Sequence, residues 1–358
     1  MKKIGIMSMQ RIINYGSFLQ AYGLKKTIES LNKNNKVEFI DYKFEKSVLK
    51  KTIKDTLLYK IISHYNIPLY LNNKKYHDSL EKKYKDFLKL INVSKKNYSK
   101  DIDTLVIGSD EVFNCLQPFP VGYSRNLFGY EYENKNVISY AACFGHTTLT
   151  KLKKYNLDKE IGNMLHKFNA ISVRDNNSYK IVNELTNLKP QIHLDPVLIS
   201  DYNQEMLENT IDEKNYILIY VYANRLNKKE QKYIKKFAKK YNKKIISIGS
   251  YQKIANKSII VNPFEVLNYF KNADYVITDT FHGTVFSIKM NTKFCTIIRK
   301  SNYNKLSFLL QKLKQEDRMV NELNDIEKLY NKEIDFKESN KVIENETRKS
   351  IKYLKENI

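Results

Sequence analysis

Hydrophobic positions along the chain fall into short apolar runs separated by longer amphipathic stretches. Residues 3–8 form one such run, followed by a polar turn over 10–15. Phe18, Leu19, Tyr22, Leu24, Ile28 and Leu31 then recur at helical spacing, and 37–42 is again strand-like. A strand, loop, helix and strand in that order open a parallel, doubly wound sheet. Residues 44–92 read as a Lys-rich, predominantly helical insertion broken near Pro68. Its part from 57 to 71 is strongly apolar and aromatic; core packing is the ordinary reading, and an amphipathic patch facing a membrane is the other. Strand patterns return at 104–107, 137–141, 170–173 and 191–194, with helical stretches over 149–168 and 177–188.

After Asp195-Pro196 the pattern loosens into a polar stretch, and a second alternation begins at 216–222. Strands at 244–248, 275–278 and 294–298 alternate with helices at 227–241, 263–271, 283–290 and 305–314, Pro263 standing in a helical first turn. Beyond Glu316 the chain reads as charged and helical. We therefore expect an N-terminal α/β domain over 1–200 with the insertion at about 44–92, a C-terminal α/β domain over 215–335, and a charged helix over 336–358. A length of 358 residues fits two cores better than one. The fold class expected is α/β, with two Rossmann-like domains facing a cleft, and ligands in such sheets bind beyond the carboxyl ends of the strands.

Composition narrows the function. The net charge is +23, from 62 Lys+Arg against 39 Asp+Glu. Nucleic-acid binding would gather that charge on one face or in a tail, and an anionic membrane would call for clusters. Here Lys pairs such as Lys50-Lys51, Lys153-Lys154 and Lys243-Lys244 are spread along the chain, as on solvated helix faces. No nucleic-acid partner is expected; attraction to phosphorylated or lipid-linked substrates, with peripheral membrane association, is left open. Three cysteines without a CxxC pair support neither a zinc knuckle nor a disulfide framework. No signal-peptide pattern opens the chain, and no apolar run approaches the ~20 residues of a membrane span. A cytoplasmic protein, working in solution or at the inner face of the membrane, is the expectation; the oligomeric state is not readable.

Four segments follow strands, where chemistry belongs. Asn14-Tyr15-Gly16-Ser17, leading to Gln20, suits a tight loop before a helix N-terminus that presents N–H groups to an anion; a plain strand-to-helix turn accounts for it equally well. Gly108-Ser109-Asp110 brings a carboxylate to the cleft edge, as a general base or as a helix cap. Arg174 directly follows a buried strand, where a guanidinium meets a phosphate or carboxylate ligand or an internal partner, Asp175 or Asp195. The run from Tyr275 to Thr284 passes through Thr278-Asp279 to His282-Gly283 at a helix start, a placement suited to phosphate, although a lone His is more often structural. No HxH, HExxH or carboxylate cluster suggests a metal.

At these residues the chain resembles the polysaccharide pyruvyl transferase family. The likeness extends over residues 3–318 and is carried by Asn14-Tyr15-Gly16-Ser17-Phe18-Leu19-Gln20, Gly108-Ser109-Asp110-Glu111, Tyr140-Ala141-Ala142-Cys143-Phe144-Gly145, Val173-Arg174-Asp175, Leu194-Asp195-Pro196 and, most specifically, Thr278-Asp279-Thr280-Phe281-His282-Gly283-Thr284. Cys143, Thr280 and Glu111 depart from the Ser, Ser and Gln of the family pattern. The resemblance implies a GT-B-like fold and transfer of a pyruvyl group from phosphoenolpyruvate to a sugar of a cell-surface polysaccharide or its precursor, forming a ketal. Phosphoenolpyruvate is then the donor substrate, no cofactor is implied, and the acceptor is a sugar, free or linked to lipid or nucleotide. Such a site needs cations, an acid and a base. Asp110 and His282 are the catalytic candidates; Asn14, Gly16, Gln20, Arg174, Asp279, Gly283, Thr284, Arg299 and Arg318 are the substrate-binding candidates. The rival readings are a nucleotide-sugar-dependent GT-B glycosyltransferase and a basic protein binding nucleic acid or membrane surfaces.

Overall fold

The computed structural model describes residues 2–49, 67–118 and 120–358. Its frame is two six-stranded, all-parallel sheets. The first contains β1 (Lys3–Met7), β2 (Lys36–Phe39), β3 (Thr104–Asp110), β4 (Asn136–Ala142), β5 (Ser172–Val173) and β6 (Gln191–Ile192), in the order β2-β1-β3-β4-β5-β6. The second contains β7 (Tyr216–Tyr220), β8 (Lys244–Ile248), β9 (Lys257–Ile259), β10 (Tyr275–Thr278), β11 (Phe294–Ile297) and β12 (Met319–Val320), in the order β12-β11-β10-β7-β8-β9. The central strands are buried on both faces, which is why they read as unbroken apolar runs such as Tyr-Ile-Leu-Ile-Tyr in β7. Strand order reverses between β1 and β3 in one sheet and between β7 and β10 in the other, so each has a topological switch point.

The chain passes from the first sheet to the second through the helices Pro196–Ile199 and Asn203–Glu208. One apolar cluster runs from the first sheet through the helix Tyr15–Leu31 into the helix Pro263–Lys271 and the second sheet. Phe18 and Tyr22 both meet Phe264 edge-on, at 6.0 and 4.9 Å between ring centroids. Polar ties add direction: the Tyr15 hydroxyl donates to the Val261 carbonyl at 3.0 Å and accepts from the Val261 N–H at 3.2 Å. The terminal helix Lys337–Asn357 returns to the first sheet, where the Tyr353 hydroxyl donates to the Ser139 carbonyl at 2.8 Å.

Several elements differ from the sequence reading. The short strands β9 and β12 were not expected, because a two- or three-residue edge strand leaves no period to detect. The stretch 149–168 is two helices, Leu149–Lys154 and Asp158–Leu165, broken at Asn156, whose φ is 55°. Of the insertion, the described part is the helix Ile67–Leu90. The expected break near Pro68 coincides with its start, and the apolar stretch before Ile67 lies outside the described residues. This helix spans the two sheets' domains: the Tyr84 hydroxyl donates to the Asn14 carbonyl at 2.9 Å and that of Tyr76 to the Ile259 carbonyl at 2.8 Å. Among the described residues no helix is long and apolar enough to cross a membrane.

Candidate active site

The two switch points meet at a cavity of about 310 Å³. Asn14 and Ser17 reach it from beyond β1, and Asp110 and Glu111 from the end of β3. Tyr222 comes from beyond β7, Phe281 and His282 from beyond β10, and Arg174 and Lys305 complete the wall. Ligand sites in doubly wound sheets form at such places because the loops diverge there and leave space.

Arg174 organises the first-domain side. Its guanidinium donates to Asp195 Oδ2 at 2.6 Å, lies 3.4 Å from Asp110 Oδ1 and 3.2 Å from Cys143 Sγ, and stacks 4.2 Å from the centroid of the Phe281 ring across the cleft. Burial works against its charge, but the Cys143 sulfur and the Asp195 and Asp110 carboxylates outweigh that and hold the group charged. Of the alternatives for Arg174, the internal partner is Asp195; Asp175 instead caps the helix Asn176–Thr186 by accepting from the Ser178 N–H at 2.8 Å. The same Arg174 nevertheless faces the cavity. Asp110 ends β3 with φ 77° and among the described residues caps no helix; its Oδ2 accepts from the Ser17 hydroxyl at 2.8 Å. A positive φ at a non-glycine residue costs energy and is held here by its neighbours.

His282 lies in the first turn of the helix Phe281–Lys289, which begins earlier than the sequence suggests because Thr280 caps it. Its Nε2 stands 3.6 Å from Asp195 Oδ2, beyond hydrogen-bonding length, and among the described residues it has no hydrogen-bond partner although the residue is only 8% exposed. Burial raises the Asp195 carboxyl, while His282 and Arg174 beside it pull it down, leaving it below its ordinary range. Asp195 thus stands between Arg174 and His282.

Asn14, Asp110, Arg174 and His282 share the cavity wall, and Gly16 abuts the His282 ring. Asn14 offers less than expected, since its Oδ1 is spent on the Gly16 and Ser17 N–H groups at 2.8 and 3.2 Å. The remaining candidates stand elsewhere. Gln20 is buried behind the loop, donating to Ser8 Oγ and the Ser17 carbonyl. Thr284 faces β11, 3.0 Å from the Thr296 hydroxyl, and the Gly283 N–H is taken by Thr280 Oγ1 at 2.9 Å. Asp279 is fully buried, and Arg299 binds Glu230 in bidentate fashion at 2.6 and 3.1 Å; together they brace the second domain beneath the cleft. Arg318 lies beside the sheet-edge strand β12, paired with Asp317 at 2.6 Å. A basic residue after a strand looks the same in sequence whether it serves a ligand or a neighbouring carboxylate.

Ser17, Glu111, Asp195, Tyr222, Phe281 and Lys305 were not named as site residues. Glu111, Asp195 and Phe281 lie inside the motifs that carried the family resemblance, so a signal existed. Lys305 is one of many lysines on Lys-rich helices and had none.

Two parallel, doubly wound α/β sheets with a polar cavity at their switch points define the fold class. A family model for polysaccharide pyruvyl transferase matches residues 14–301. The chain belongs to the polysaccharide pyruvyl transferase family and is a transferase. No curated protein sequence matches it. Similar solved structures include the UDP-GlcNAc 2-epimerase of Neisseria meningitidis bound to UDP-GlcNAc, with 10% identity, 98% of this chain and 100% of that one covered, and a TM-score of 0.48. Medicago truncatula UGT71G1 complexed with UDP-glucose is similar at 13% identity, 99% and 98% coverage, and a TM-score of 0.48.

Proposed function

We propose that the protein transfers a pyruvyl unit from phosphoenolpyruvate to two hydroxyls of a sugar, releasing phosphate and leaving a ketal. The observation that carries this reading is the buried, unpartnered Nε2 of His282 beside Asp195, in the same cavity as Arg174. An acid is needed to protonate the donor's methylene carbon; the adjacent Asp195 carboxylate would stabilise the imidazolium that supplies the proton. Arg174 gives the donor's anionic groups a fixed cation. Asp110, on the cavity wall, is placed to accept a hydroxyl proton as C–O bond formation proceeds. Glu111 suits that role less, because Lys305 draws its pKa down to about 2 against the effect of burial. The first hydroxyl oxygen bonds to the ketal carbon as the methylene becomes methyl. The second then displaces phosphate, so the two hydroxyl protons are balanced by one on the methyl group and one on phosphate or the base. Because the Gly283 N–H is already bonded, proton transfer is favoured for His282 over holding the departing phosphate.

The test is phosphate release from phosphoenolpyruvate by the purified protein with a panel of sugar acceptors, with the ketal methyl followed by proton NMR. Turnover in deuterium oxide places one deuterium in that methyl group. Phosphate release without a ketal, or sugar transfer from a nucleotide sugar instead, would overturn the reading.

A further inference from the structure

Asp110 does not meet the cavity alone. Ser17 lines the same wall, and both carboxylate oxygens of Asp110 already face protein groups. Oδ2 accepts from the Ser17 hydroxyl at 2.8 Å, and Oδ1 stands 3.4 Å from Nη2 of Arg174. Ser17 is in the opposite condition. A hydroxyl has one hydrogen to give and two lone pairs to receive with. Here the hydrogen goes to Asp110, and among the described residues no group donates to the oxygen.

The backbone on both sides of this contact is held by one buried set of hydrogen bonds. Ser17 lies in the first turn of the helix Tyr15–Leu31, where its N–H donates to Asn14 Oδ1 at 3.2 Å and its carbonyl accepts from Gln20 Nε2 at 2.9 Å. Gln20 Nε2 also donates to Ser8 Oγ at 2.9 Å, and the Ser8 hydroxyl donates to the carbonyl of Ser109, the residue before Asp110, at 3.2 Å. Asn14 and Gln20 thus have a part in the site without presenting their own polar groups to a ligand: they fix Ser17 against Asp110.

A sugar hydroxyl approaching Asp110 directly would compete with Ser17 at Oδ2 or with Arg174 at Oδ1. One that approaches Ser17 displaces nothing. It donates to the serine oxygen, which already donates onward to the carboxylate, and hydrogen bonds in such a chain polarise one another. A general base can act through one intervening water; a side-chain hydroxyl in that place is held by the fold instead of being recruited from solvent.

We propose that Ser17 is a further catalytic residue, the relay through which the proton of the acceptor hydroxyl reaches Asp110. This rests on the phosphoenolpyruvate reading above and refines its base. The sugar O–H bond breaks as its proton bonds to Ser17 Oγ, while the hydrogen already on Oγ passes to Asp110 Oδ2. The electron pair left on the sugar oxygen forms the C–O bond to the ketal carbon. Ser17 ends the step as a hydroxyl again and Asp110 as a carboxylic acid, so no further reactant is required.

The experiment is steady-state kinetics of ketal formation from phosphoenolpyruvate and an accepted sugar, with urea midpoints on the same preparations. Ser17→Ala should lower kcat roughly 10²-fold, the scale of a lost proton-transfer group, with little change in the KM for phosphoenolpyruvate. Ser17→Thr and Ser17→Val have the same shape, and only threonine keeps the hydroxyl, so threonine should recover turnover that valine does not. Ser17→Ala/Asp110→Asn should be about as slow as the slower single variant, because residues that act as one unit are lost only once. A hydroxyl that only braces the fold gives equal turnover in the threonine and valine variants. That result, near-normal kcat in Ser17→Ala, or losses that multiply in the double variant overturns the relay and leaves the parent reading intact. A wild-type protein that forms no ketal from phosphoenolpyruvate overturns both.

Discussion

Gly16 lies directly against the imidazole of His282: a Cβ at position 16 would stand 2.1 Å from its Cγ and 2.2 Å from its Nδ1. The contact joins the first helix of one domain to the first turn of a helix in the other, so the absence of a side chain at 16 fixes where the imidazole can lie. In an ordinary helix first turn, alanine would be the better residue. Here Gly16→Ala must push the ring aside. We expect the variant to fold, with a loss of about 1–3 kcal/mol typical of overpacking. Turnover should fall roughly 10²-fold, the usual consequence of misplacing a reacting group by about an ångström. Urea midpoints and phosphate-release rates on the same preparation separate the two effects.

Asp195 and Arg174 give a second test. Asp195→Asn keeps the shape and the cap on the Val197 N–H, which Asp195 now provides at 3.0 Å. It removes the charge facing a guanidinium that is 5% exposed. Breaking one side of a buried pair costs about 3–5 kcal/mol. Arg174→Met/Asp195→Asn should be destabilised by less than the sum of the two single variants, which denaturant titration of the four proteins measures. Additive losses would show that the two side chains do not act as a unit.

Much of this arrangement was legible in the sequence. Unbroken apolar runs such as 104–107 and 216–222 mark parallel strands because central strands are apolar on both faces, and ligand residues in such sheets belong to the switch-point loops. Hence Asp110, Arg174 and His282 could be named from position alone. What could not be read was which polar residues are consumed by the protein itself. Asp279 and Arg299 have the same types and strand-end positions as residues of the cavity wall, but Glu230, 69 positions away in sequence, answers Arg299, while Arg318 stands just before β12 and pairs with its own neighbour Asp317. Lys305 was hidden for the converse reason: its importance comes from Glu111, 194 residues away in sequence.

The Glu111–Lys305 pair makes stability depend on acid. Glu111 titrates at about 2 in the folded protein, below its ordinary 4.5, because Lys305 outweighs the burial that opposes its charge. The unfolded chain therefore binds this proton first as pH falls. The stabilisation is complete above pH 4.5 and is lost as pH falls toward 2. Urea midpoints of the wild type and Glu111→Gln across that range should converge at the acid end. A constant difference would mean that the pair is not ionised as the geometry requires.

His193 predicts a loss in a neighbouring window. It is buried between Tyr140 and Tyr353, with ring centroids at 5.7 and 4.8 Å, and its Nδ1 is 2.7 Å from Ser172 Oγ. Burial pushes its pKa down to about 4 from an ordinary 6.5. The unfolded chain takes up the proton first, so stability is full above 6.5 and declines as pH falls to about 4. Tyr353 belongs to the terminal helix, so that helix should be the first to loosen. Amide exchange in 337–358 should quicken over this window, and His193→Phe should lose the pH dependence. Exchange in the helix that is indifferent to pH from 7 to 4 would rule out this coupling.

The role of His282 is the most exposed of these readings. Among the described residues its Nε2 has no hydrogen-bond acceptor, and it stands 3.6 Å from an Asp195 oxygen already committed to Arg174 at 2.6 Å. The ring nitrogen is thus near a carboxylate without being tied up in a hydrogen bond, which suits a group that must give a proton away. Its neighbour Gly283 has no N–H to offer an anion, since Thr280 takes it. His282→Ala should therefore keep its fold and bind phosphoenolpyruvate nearly as the wild type does, yet turn over roughly 10²–10⁴-fold more slowly, the range for a lost acid–base group. His282→Gln retains a hydrogen-bond donor but cannot deliver a proton, so it should be as slow as the alanine variant. If glutamine instead restores turnover along with donor affinity, His282 holds the donor, and the proton for the methylene carbon comes from another group on the cavity wall. Near-normal turnover in His282→Ala removes the residue from the chemistry altogether.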